Sequence, residues 1–365
     1  MSKRIIVHQY WFCNPFSWIK LLIDNKGVHY KFIWKAVLIT LLSLVSYPIQ
    51  ILNSLALWWK GRHLKMNDEP VFIVGHWRGG TTFLHYILAQ DEQFGYLTYY
   101  HAFVPNLAII GDKLVKKILA RVTPDKRPQD DIRIGMDLPT EEENPLSTYS
   151  SHSASHSFFF PKNERYFQKY VLFEGINDKE KSKWQKAYLS ILNRISVHQK
   201  GRQLLIKNPH NTGRVRELLE LFPRAKFIHI YRNPYEIFSS TFRMYDMVVK
   251  TQFLQEYSKD DIEQKILYYY NSVMGRYFKD KSLIPDGQLI EIKFEEFEKD
   301  PLSSMHRIYK QLNLDMTDAT LSRMRSYVEG LKDYSKNVHE VPDQLKAQIE
   351  ADWAFGFREL GYQMN

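Results

Sequence analysis

The chain has 365 residues, of which 44% are hydrophobic and 25% are charged, and its formal net charge is +9. This composition excludes an intrinsically disordered chain and predicts one large folded domain or a domain with an appendage. Cys13 is the only cysteine, which excludes an intrachain disulfide framework. Together with the lack of any Asn-x-Ser/Thr sequon, it indicates a reducing, cytoplasmic compartment.

The amino-terminal part contains an uncharged stretch, residues 36–59, of 24 residues, long enough to cross a bilayer. Pro48 is expected to kink or split this helix. The polar side chains of the stretch fall within one arc of roughly 140° on a helical wheel: Thr40, Ser43, Ser46, Tyr47, Gln50, Asn53 and Ser54.

Basic residues flank this stretch on both sides, so the positive-inside rule gives no orientation for a simple crossing. We therefore expect residues 1–66 to form a helical anchor that lies peripherally or monotopically on the cytoplasmic face of a membrane. Two alternatives remain open, a true membrane span and a soluble helix pair packed against the main domain. The second domain is expected to cover residues 67–365.

From residue 67 onward, buried-type strands alternate with helices. Strands are predicted at residues 71–74, 203–207, 226–231 and 288–294. Helices are predicted at 81–89, at 212–221 with Thr212 as its cap, at 234–249 and at 343–357. This alternation predicts an α/β fold with a parallel sheet and helices on both faces.

The first predicted strand runs into a glycine-rich turn, Gly75-His-Trp-Arg-Gly-Gly80-Thr81-Thr82, and then into a helix. This is the layout of a phosphate-binding loop of the P-loop type, in which backbone N–H groups and a helix N-terminus hold an anion. The spacing of Gly75 and Gly80 is that of a Walker A motif, but Thr81 occupies the position of its lysine. The loop therefore predicts a ligand with a 5′-phosphate that is not an ordinary triphosphate.

Three residues of this domain lie at or just past the carboxyl ends of predicted strands, namely Gly75, Lys207 and Arg232. Ligands of parallel sheets bind at that edge. The three residues are therefore expected to lie in one cleft.

A long insert, residues 94–200, contains an acidic run, Glu141, Glu142 and Glu143. A carboxylate there is a candidate general base. His152 and His156 have the four-residue spacing of a helical metal pair, but their serine-rich surroundings favour a solvated or acceptor-lining role. No zinc-type Cys/His spacing occurs, and no metal is expected.

Three motifs in order carry a resemblance to a known family. The turn from Gly75 to Thr82 resembles the 5′-phosphosulfate loop of sulfotransferases. The run Lys207-Asn-Pro-His210-Asn-Thr212 resembles the end of the family's second strand, and the segment from Phe227 through Arg232 to Ser240 resembles its 3′-phosphate motif. The chain most resembles the bacterial-type branch, which is itself similar to tyrosylprotein sulfotransferases.

The resemblance implies 3′-phosphoadenosine 5′-phosphosulfate as co-substrate. The 5′-phosphosulfate would then lie in the turn and first helical residues: Arg78, Gly79, Gly80, Thr81, Thr82 and Phe83. Arg232 and Ser240 would bind the 3′-phosphate, since a guanidinium and a hydroxyl suit a phosphate.

The resemblance also gives Lys207 a catalytic role, in which it stabilises the charge on the bridging oxygen as the S–O bond breaks. Among the candidate bases Glu142 comes first, followed by Glu141 and Glu143, with His76 in the loop as the competitor. Simpler roles remain open. Arg232 could pair with Glu236, Ser240 could be a surface residue, Lys207 a solvated lysine, and His210 either a positioning group or a structural hydrogen-bond partner.

The sequence thus predicts a sulfotransferase that acts on an acceptor hydroxyl. The amino-terminal apolar segment favours a lipophilic alcohol such as a sterol or lipid, and a carbohydrate or a phenol remains open as the acceptor. Two alternatives are a membrane-associated nucleotide kinase or NTPase and a non-catalytic nucleotide-binding protein. The basic residues are not arranged as a run interleaved with aromatic residues, so the sequence does not predict a nucleic-acid-binding module. Partners are therefore expected to be a small-molecule acceptor and a membrane surface, with the oligomeric state left open.

Overall fold

A computed structural model describes residues 8–25, 27–106, 112–127, 132–331 and 343–364. The chain divides into two compact units. The helical unit comprises the described parts of Met1–Met66, Leu97–Gly201 and Asp246–Tyr257. The sheet unit comprises the described parts of Asn67–Tyr96, Arg202–Tyr245 and Ser258–Asn365. The expected domain division after residue 66 stays a prediction.

The strands all belong to the sheet unit: β1 Val71–Val74, β2 Phe94–Gly95, β3 Gln203–Lys207, β4 Lys226–Tyr231 and β5 Leu289–Lys293. The helices up to residue 200 are α1 Pro15–Asp24, α2 Ile33–Gly61, α3 Thr81–Leu88, α4 Tyr99–Phe103, α5 Asp112–Val122, α6 Glu143–Tyr149, α7 Glu164–Leu172 and α8 Asp178–His198. Those beyond it are α9 Val215–Leu221, α10 Pro234–Met244, α11 Lys250–Gln252, α12 Lys259–Asp280, α13 Phe294–Lys299, α14 Pro301–Gln311, α15 Asp318–Glu329 and α16 Asp343–Leu360.

The sheet has five parallel strands in the order β2-β3-β1-β4-β5. The central strand β1 is apolar and buried along its whole length, as expected for a parallel strand covered on both faces. Ile73 pairs in register with Lys207, and Val74 pairs with His229. The α/β fold with a parallel sheet is therefore confirmed, with helices around it.

An apolar core fixes the junction between β1 and α3. Side chains of α3, β4, β5, α14 and α15 pack together in one cluster that includes Leu84, Ile228, Ile292, Met305 and Met324. Burying this surface contributes about 25 cal/mol for each Å² of apolar area. The strand and the helix on either side of the turn are thus fixed by this packed core.

Three elements of the sheet unit differ from the sequence prediction. Strand β2 was missed, because two residues have no measurable periodicity. The helix expected at 212–221 begins at Val215, after a 3₁₀ turn at Pro209–Gly213, and Thr212 does not cap it. The helix that begins at Pro234 ends at Met244, and a π-helical turn follows at Tyr245–Val249.

In the helical unit, α2 runs unbroken through Pro48, so of the kink or split expected there the split is wrong, and a kink stays a prediction. Packing explains this, because α2 rests on α1 and on α8 and is held on both sides of the proline. The polar arc of α2 faces inward, with Ser43, Ser46, Gln50 and Asn53 buried. Helix α2 with the preceding turn, Tyr30–Gly61, is long and apolar enough to cross a membrane by length and composition.

Candidate functional site

The turn between β1 and α3 is possible only with glycine at two positions. Gly75 has φ 144° and Gly80 has φ 94°, in the region that favours glycine. A Cβ atom on Gly75 would overlap the carbonyl oxygen of Ile230 in β4, and one on Gly80 would overlap the ring of Phe294. The turn therefore lies directly against the ends of β4 and β5.

The turn leads into a helix start suited to an anion. Gly79 donates its N–H to the carbonyl of His76 (3.0 Å), which closes the turn. Gly80 is the N-cap of α3 and supplies no capping side chain. The first N–H groups of a helix carry a partial positive charge and attract anions. The predicted donor-binding residues all lie in this turn or in the first helical turn of α3: Arg78, Gly79, Gly80, Thr81, Thr82 and Phe83.

Lys207 brings a positive charge to this helix start. It is the last residue of β3, next to β1, and only 3% of the residue is exposed. Its Nζ donates to the Oγ1 of Thr82 at 3.4 Å. Burial, and secondarily the charge of Lys207, lowers the pKa of His85 in α3. An ammonium held this deeply is stabilised by a bound anion.

Two arginines meet at the same turn. Arg78 donates its Nε–H to the Oγ of Ser240 at 2.8 Å. Arg232, just past the end of β4, donates from Nη1 to the carbonyl of Arg78 at 3.4 Å. Its guanidinium lies 4.8 Å from the ring centre of Phe294. It also pairs with Glu236 at 2.5 Å, so the pairing left open by the sequence is present as well. The loop, Arg232 and Ser240 therefore lie together.

His76 is placed as a structural group of the loop. Its Nδ1–H donates to the carbonyl of Trp77 at 3.0 Å, and 3% of the residue is exposed. Burial lowers the pKa of His76 to about 4, although the hydrogen bond to Trp77 opposes this shift. A histidine of that pKa is neutral at neutral pH and is a weak base.

Sequence reasoning missed an aromatic cluster beside the loop. The ring of Trp77 stands edge-on to His210 (4.8 Å) and to Tyr269 of α12 (4.7 Å). His210 Nδ1 and the Tyr269 hydroxyl are hydrogen bonded at 2.6 Å, so the structural role left open for His210 is observed. Tryptophan inside the glycine-rich turn was the signal available, but nothing in the sequence pointed to Tyr269.

Thr212 has a different role from the predicted one. Its Oγ1 accepts the N–H of Gly75 at 2.7 Å, and both residues are buried. The hydroxyl thus anchors the first residue of the loop to the 3₁₀ turn after β3, and the N-cap position of α9 is occupied by Arg214.

The acidic run lies in the helical unit, and its three members have different surroundings. Glu142 is buried and accepts a hydrogen bond from the Tyr188 hydroxyl at 2.9 Å. Glu143 accepts bonds from the Ser153 hydroxyl (2.7 Å) and the Ala154 N–H (3.0 Å). Glu141 is partly exposed. The neighbours of Glu143 give it a structural task, and the choice of base stays a prediction.

The histidine pair of the insert also has partners in the helical unit. His156 is fully buried between the Tyr10 hydroxyl and the Ser150 carbonyl, so the solvated role expected for it is wrong. Across the described ranges, no group of three or more His, Cys, Asp or Glu side chains could hold a metal ion.

Together, these features define an α/β protein with a parallel sheet, in which a glycine-rich strand–turn–helix junction is faced by a buried lysine and two arginines, an arrangement suited to an anion. Comparison of the sequence with known protein families identifies the family within this class of α/β proteins. Residues 70–318 match the family model described as the sulfotransferase family. The chain belongs to this family.

Curated relatives and solved structures agree with this assignment. The chain is 28% identical over 357 residues to the omega-hydroxy-beta-dihydromenaquinone-9 sulfotransferase Stf3 of Mycobacterium bovis and of Mycobacterium tuberculosis, covering 96% of this chain and 90% of each relative. The fold is similar to that of sulfotransferase STF9 from Mycobacterium avium, with a TM-score of 0.66, 19% identity, and 97% and 88% of the two chains covered. It is also similar to sulfotransferase STF1 from Mycobacterium tuberculosis, with a TM-score of 0.65, 15% identity, and 97% and 94% covered.

Proposed function

We propose that this sulfotransferase transfers the sulfuryl group of 3′-phosphoadenosine 5′-phosphosulfate to the hydroxyl of a lipophilic alcohol. The observation that supports this sulfate donor is the hydrogen bond from Arg232 Nη1 to the Arg78 carbonyl at 3.4 Å. It brings a strand-end guanidinium to a loop that has Thr81 in the position of the Walker lysine. A nucleotide with two separate anionic ends needs both features.

The two ends of the donor engage different groups. The N–H groups at the start of α3 and the hydroxyls of Thr81 and Thr82 receive the 5′-phosphosulfate. Arg232 and Ser240 bind the 3′-phosphate, for which Arg232 exchanges its pairing with Glu236. Arg78 already donates to Ser240 and holds that hydroxyl in place.

Lys207 acts on the bond that breaks. The acceptor oxygen attacks sulfur, the S–O bond to the 5′-phosphate breaks, and its electron pair stays on the departing phosphate oxygen. The Lys207 ammonium, 3.4 Å from Thr82 Oγ1, stabilises the charge that develops there. The acceptor loses its hydroxyl proton to a base, for which Glu142 is our first candidate, ahead of Glu141, Glu143 and His76.

Support for a lipophilic acceptor comes from the curated relatives. They are named for action on a hydroxylated menaquinone, a lipid-like quinone alcohol. At 28% identity over nearly the whole chain, this likeness supports a lipid-like alcohol as the substrate class of this chain.

The test is sulfate transfer from ³⁵S-labelled donor by the purified full-length chain. The acceptor panel pairs lipid alcohols, a sterol and a hydroxylated isoprenoid quinone, with a water-soluble phenol and a sugar. Labelled product from the lipid alcohols supports the proposal. Transfer only to the water-soluble acceptors contradicts the lipophilic acceptor. Mg²⁺-dependent ATP turnover without sulfate transfer contradicts the donor and favours the kinase alternative.

A further inference from the structure

A continuous apolar surface covers one side of the amino-terminal helices. Most of the large hydrophobic side chains that stay exposed in the described ranges lie between Phe16 and Trp59, in α1, the turn before α2, and α2. Val45, for example, is 77% exposed. We call this surface the apolar face: Phe16, Ile19, Ile23, Tyr30, Ile33, Trp34, Val37, Leu41, Leu44, Val45, Ile49, Ile51, Leu52, Leu55, Trp58 and Trp59. Soluble monomers rarely expose contiguous apolar patches of this extent.

Helix α2 is amphipathic, but its polar side faces the rest of the helical unit and its apolar side faces outward. Its buried residues recur at alternating spacings of four and three, and four of the six are polar: Ile39, Ser43, Ser46, Gln50, Asn53 and Leu57. This stripe spans about 27 Å at 1.5 Å per residue.

Polar bonds of the helical unit fix this orientation of α2. Trp18 of α1 donates to the Thr40 hydroxyl at 2.8 Å. Gln50 donates to the Cys13 carbonyl at 3.2 Å, and Arg194 of α8 donates to the Ser54 hydroxyl at 3.2 Å. A rotation that hid the apolar face would break these bonds, so the face stays outward.

The sequence around the apolar face is mainly basic, and in the structure two of its lysines are paired with carboxylates, Lys20 with Asp24 and Lys31 with Glu256. Between residues 15 and 65, Asp24 is the only acidic residue, against seven basic ones: Lys20, Lys26, Lys31, Lys35, Lys60, Arg62 and Lys65. Trp34 stands near one end of α2, and Trp58 and Trp59 stand at the other. Tryptophan belts and lysine or arginine clusters are the usual contacts of a protein with lipid headgroups.

We propose that the apolar face docks the protein onto an anionic lipid bilayer, with α1 and α2 lying in the plane of the membrane interface. The apolar side chains enter the boundary between headgroups and acyl chains. The basic residues at and after the carboxyl end of α2, Lys60, Arg62 and Lys65, contact anionic headgroups. This inference does not depend on the identity of the sulfate donor or acceptor.

The packing of α2 argues against a crossing helix. Its inward side contacts α1 and α8, with a bond from Trp18 of α1 to Thr40 and one from Arg194 of α8 to Ser54. Helix α8 exposes Lys179, Lys183 and Lys186. A bilayer that surrounded α2 would also have to enclose its partner helix α8 with these charges, which is costly. A second copy is also a poor occupant, because two surfaces with the same positive charges repel each other.

The test is flotation of the full-length chain with lipid vesicles, a readout separate from sulfate transfer. We expect the protein to float with vesicles that contain phosphatidylglycerol, and to float less with purely zwitterionic vesicles or in high salt. The double variant Val45→Glu/Leu52→Glu should reduce the vesicle-bound fraction by about tenfold or more. It puts two carboxylates into the part of the apolar face that would enter the hydrocarbon of the bilayer. Its thermal unfolding should match that of the wild type, because both side chains are already exposed.

A matched control introduces the same two charges elsewhere. Leu283→Glu/Met364→Glu alters two exposed apolar side chains of the sheet unit, 43% and 53% exposed, and should bind vesicles like the wild type. Equal binding by V45E/L52E and the control overturns the proposal. So does a dimer, measured by light scattering, that V45E/L52E dissociates while vesicle binding persists.

Cysteine labelling tests the in-plane orientation. Lys31→Cys and Lys65→Cys lie just before and just after α2, and the native Cys13 is buried. With protein bound to sealed vesicles, an impermeant maleimide added outside should label both positions. Protection of one of the two positions would mean that α2 crosses the bilayer, which contradicts the in-plane arrangement.

Discussion

Lys207 is a buried ammonium at the end of a strand beside β1, within hydrogen-bonding distance of the first turn of α3. Most buried lysines are costly unless an anion compensates them. This position suits the role proposed for Lys207, the stabilisation of a charge that develops during the reaction. The same reasoning separates Lys207 from surface lysines, for which loss of the charge has little consequence.

Replacing Lys207 by alanine should lower kcat by about 10²–10³-fold, because a positioned positive charge acts mainly on the transition state. The affinity for 3′-phosphoadenosine 5′-phosphate should change much less. Steady-state kinetics and calorimetric titration measure the two effects. Lys293→Ala, at the end of β5 with its Nζ over the Tyr362 ring, is the control and should keep its turnover. A K207A enzyme with normal kcat would remove the role assigned to Lys207.

The Gly80 position should not accept a side chain. Gly80→Ala adds a Cβ that overlaps Phe294 at a positive φ, so we expect a loss of about 1–3 kcal/mol in the free energy of unfolding. Gly275 inside α12 is the matched control, since no heavy atom lies within 4 Å of its would-be Cβ. Gly275→Ala should stabilise by up to about 1 kcal/mol because alanine favours helix. Urea unfolding measures both, and equal effects of the two substitutions would contradict this account of the turn.

At the scale of elements, the strands were the most predictable part of the chain. β1, β3 and β4 have the predicted bounds, because strands buried on both faces are short apolar runs. The wrong expectations share a cause. The capping role of Thr212 and the split at Pro48 were judged from local sequence, whereas tertiary contacts decided both. Thr212 lies in the 3₁₀ turn before α9, where its hydroxyl accepts the Gly75 N–H, and Arg214 occupies the N-cap position.

The bond between Thr212 and Gly75 should be important for the loop. Thr212→Val keeps the shape but leaves the buried Gly75 N–H without its acceptor. It should reduce the free energy of unfolding by about 1–3 kcal/mol and weaken nucleotide binding. Thr212→Ser keeps the hydroxyl and should recover most of the binding. Thermal unfolding with calorimetric titration measures both properties, and valine and serine variants that behave alike would show that the hydroxyl has no such role.

At the scale of the whole molecule, the candidate site was predictable where it depends on topology. Gly75, Lys207 and Arg232 follow three adjacent strands, and parallel strands end at one edge. Contacts from distant parts of the chain were not predictable. Tyr269 lies in α12 and reaches Trp77 and His210 only through the packing of that helix, and no spacing in the sequence encodes it.

Buried histidines should make the protein sensitive to acid. Burial is the main cause that lowers the pKa of His8, His76 and His101 to about 4, below their ordinary 6.5. Between these values the unfolded chain binds more protons than the folded one, so stability is complete above pH 6.5 and falls as the pH drops toward 4. Each such histidine costs at most about 3 kcal/mol at the acid end.

The contribution of one histidine can be measured by substitution. His76→Asn retains a donor for the Trp77 carbonyl but cannot titrate, so the difference in unfolding free energy between neutral and acid pH should shrink. His63→Gln, at an exposed position, should leave the difference unchanged. Denaturant unfolding at several pH values measures this, and an identical pH dependence of H76N and wild type would contradict the burial effect.

The central claim is that one site binds both anionic ends of an adenosine ligand, and paired calorimetric titrations test it most directly. Wild-type protein should bind 3′-phosphoadenosine 5′-phosphate much more tightly than adenosine 5′-monophosphate, which lacks the 3′-phosphate. Arg232→Ala should lose about 2–5 kcal/mol toward the first ligand and little toward the second, so that the preference nearly disappears. Arg243→Ala, on the same helix as Ser240, is the control and should keep the preference. A wild-type protein that binds both ligands equally, or an R232A variant that weakens both equally, would contradict the account.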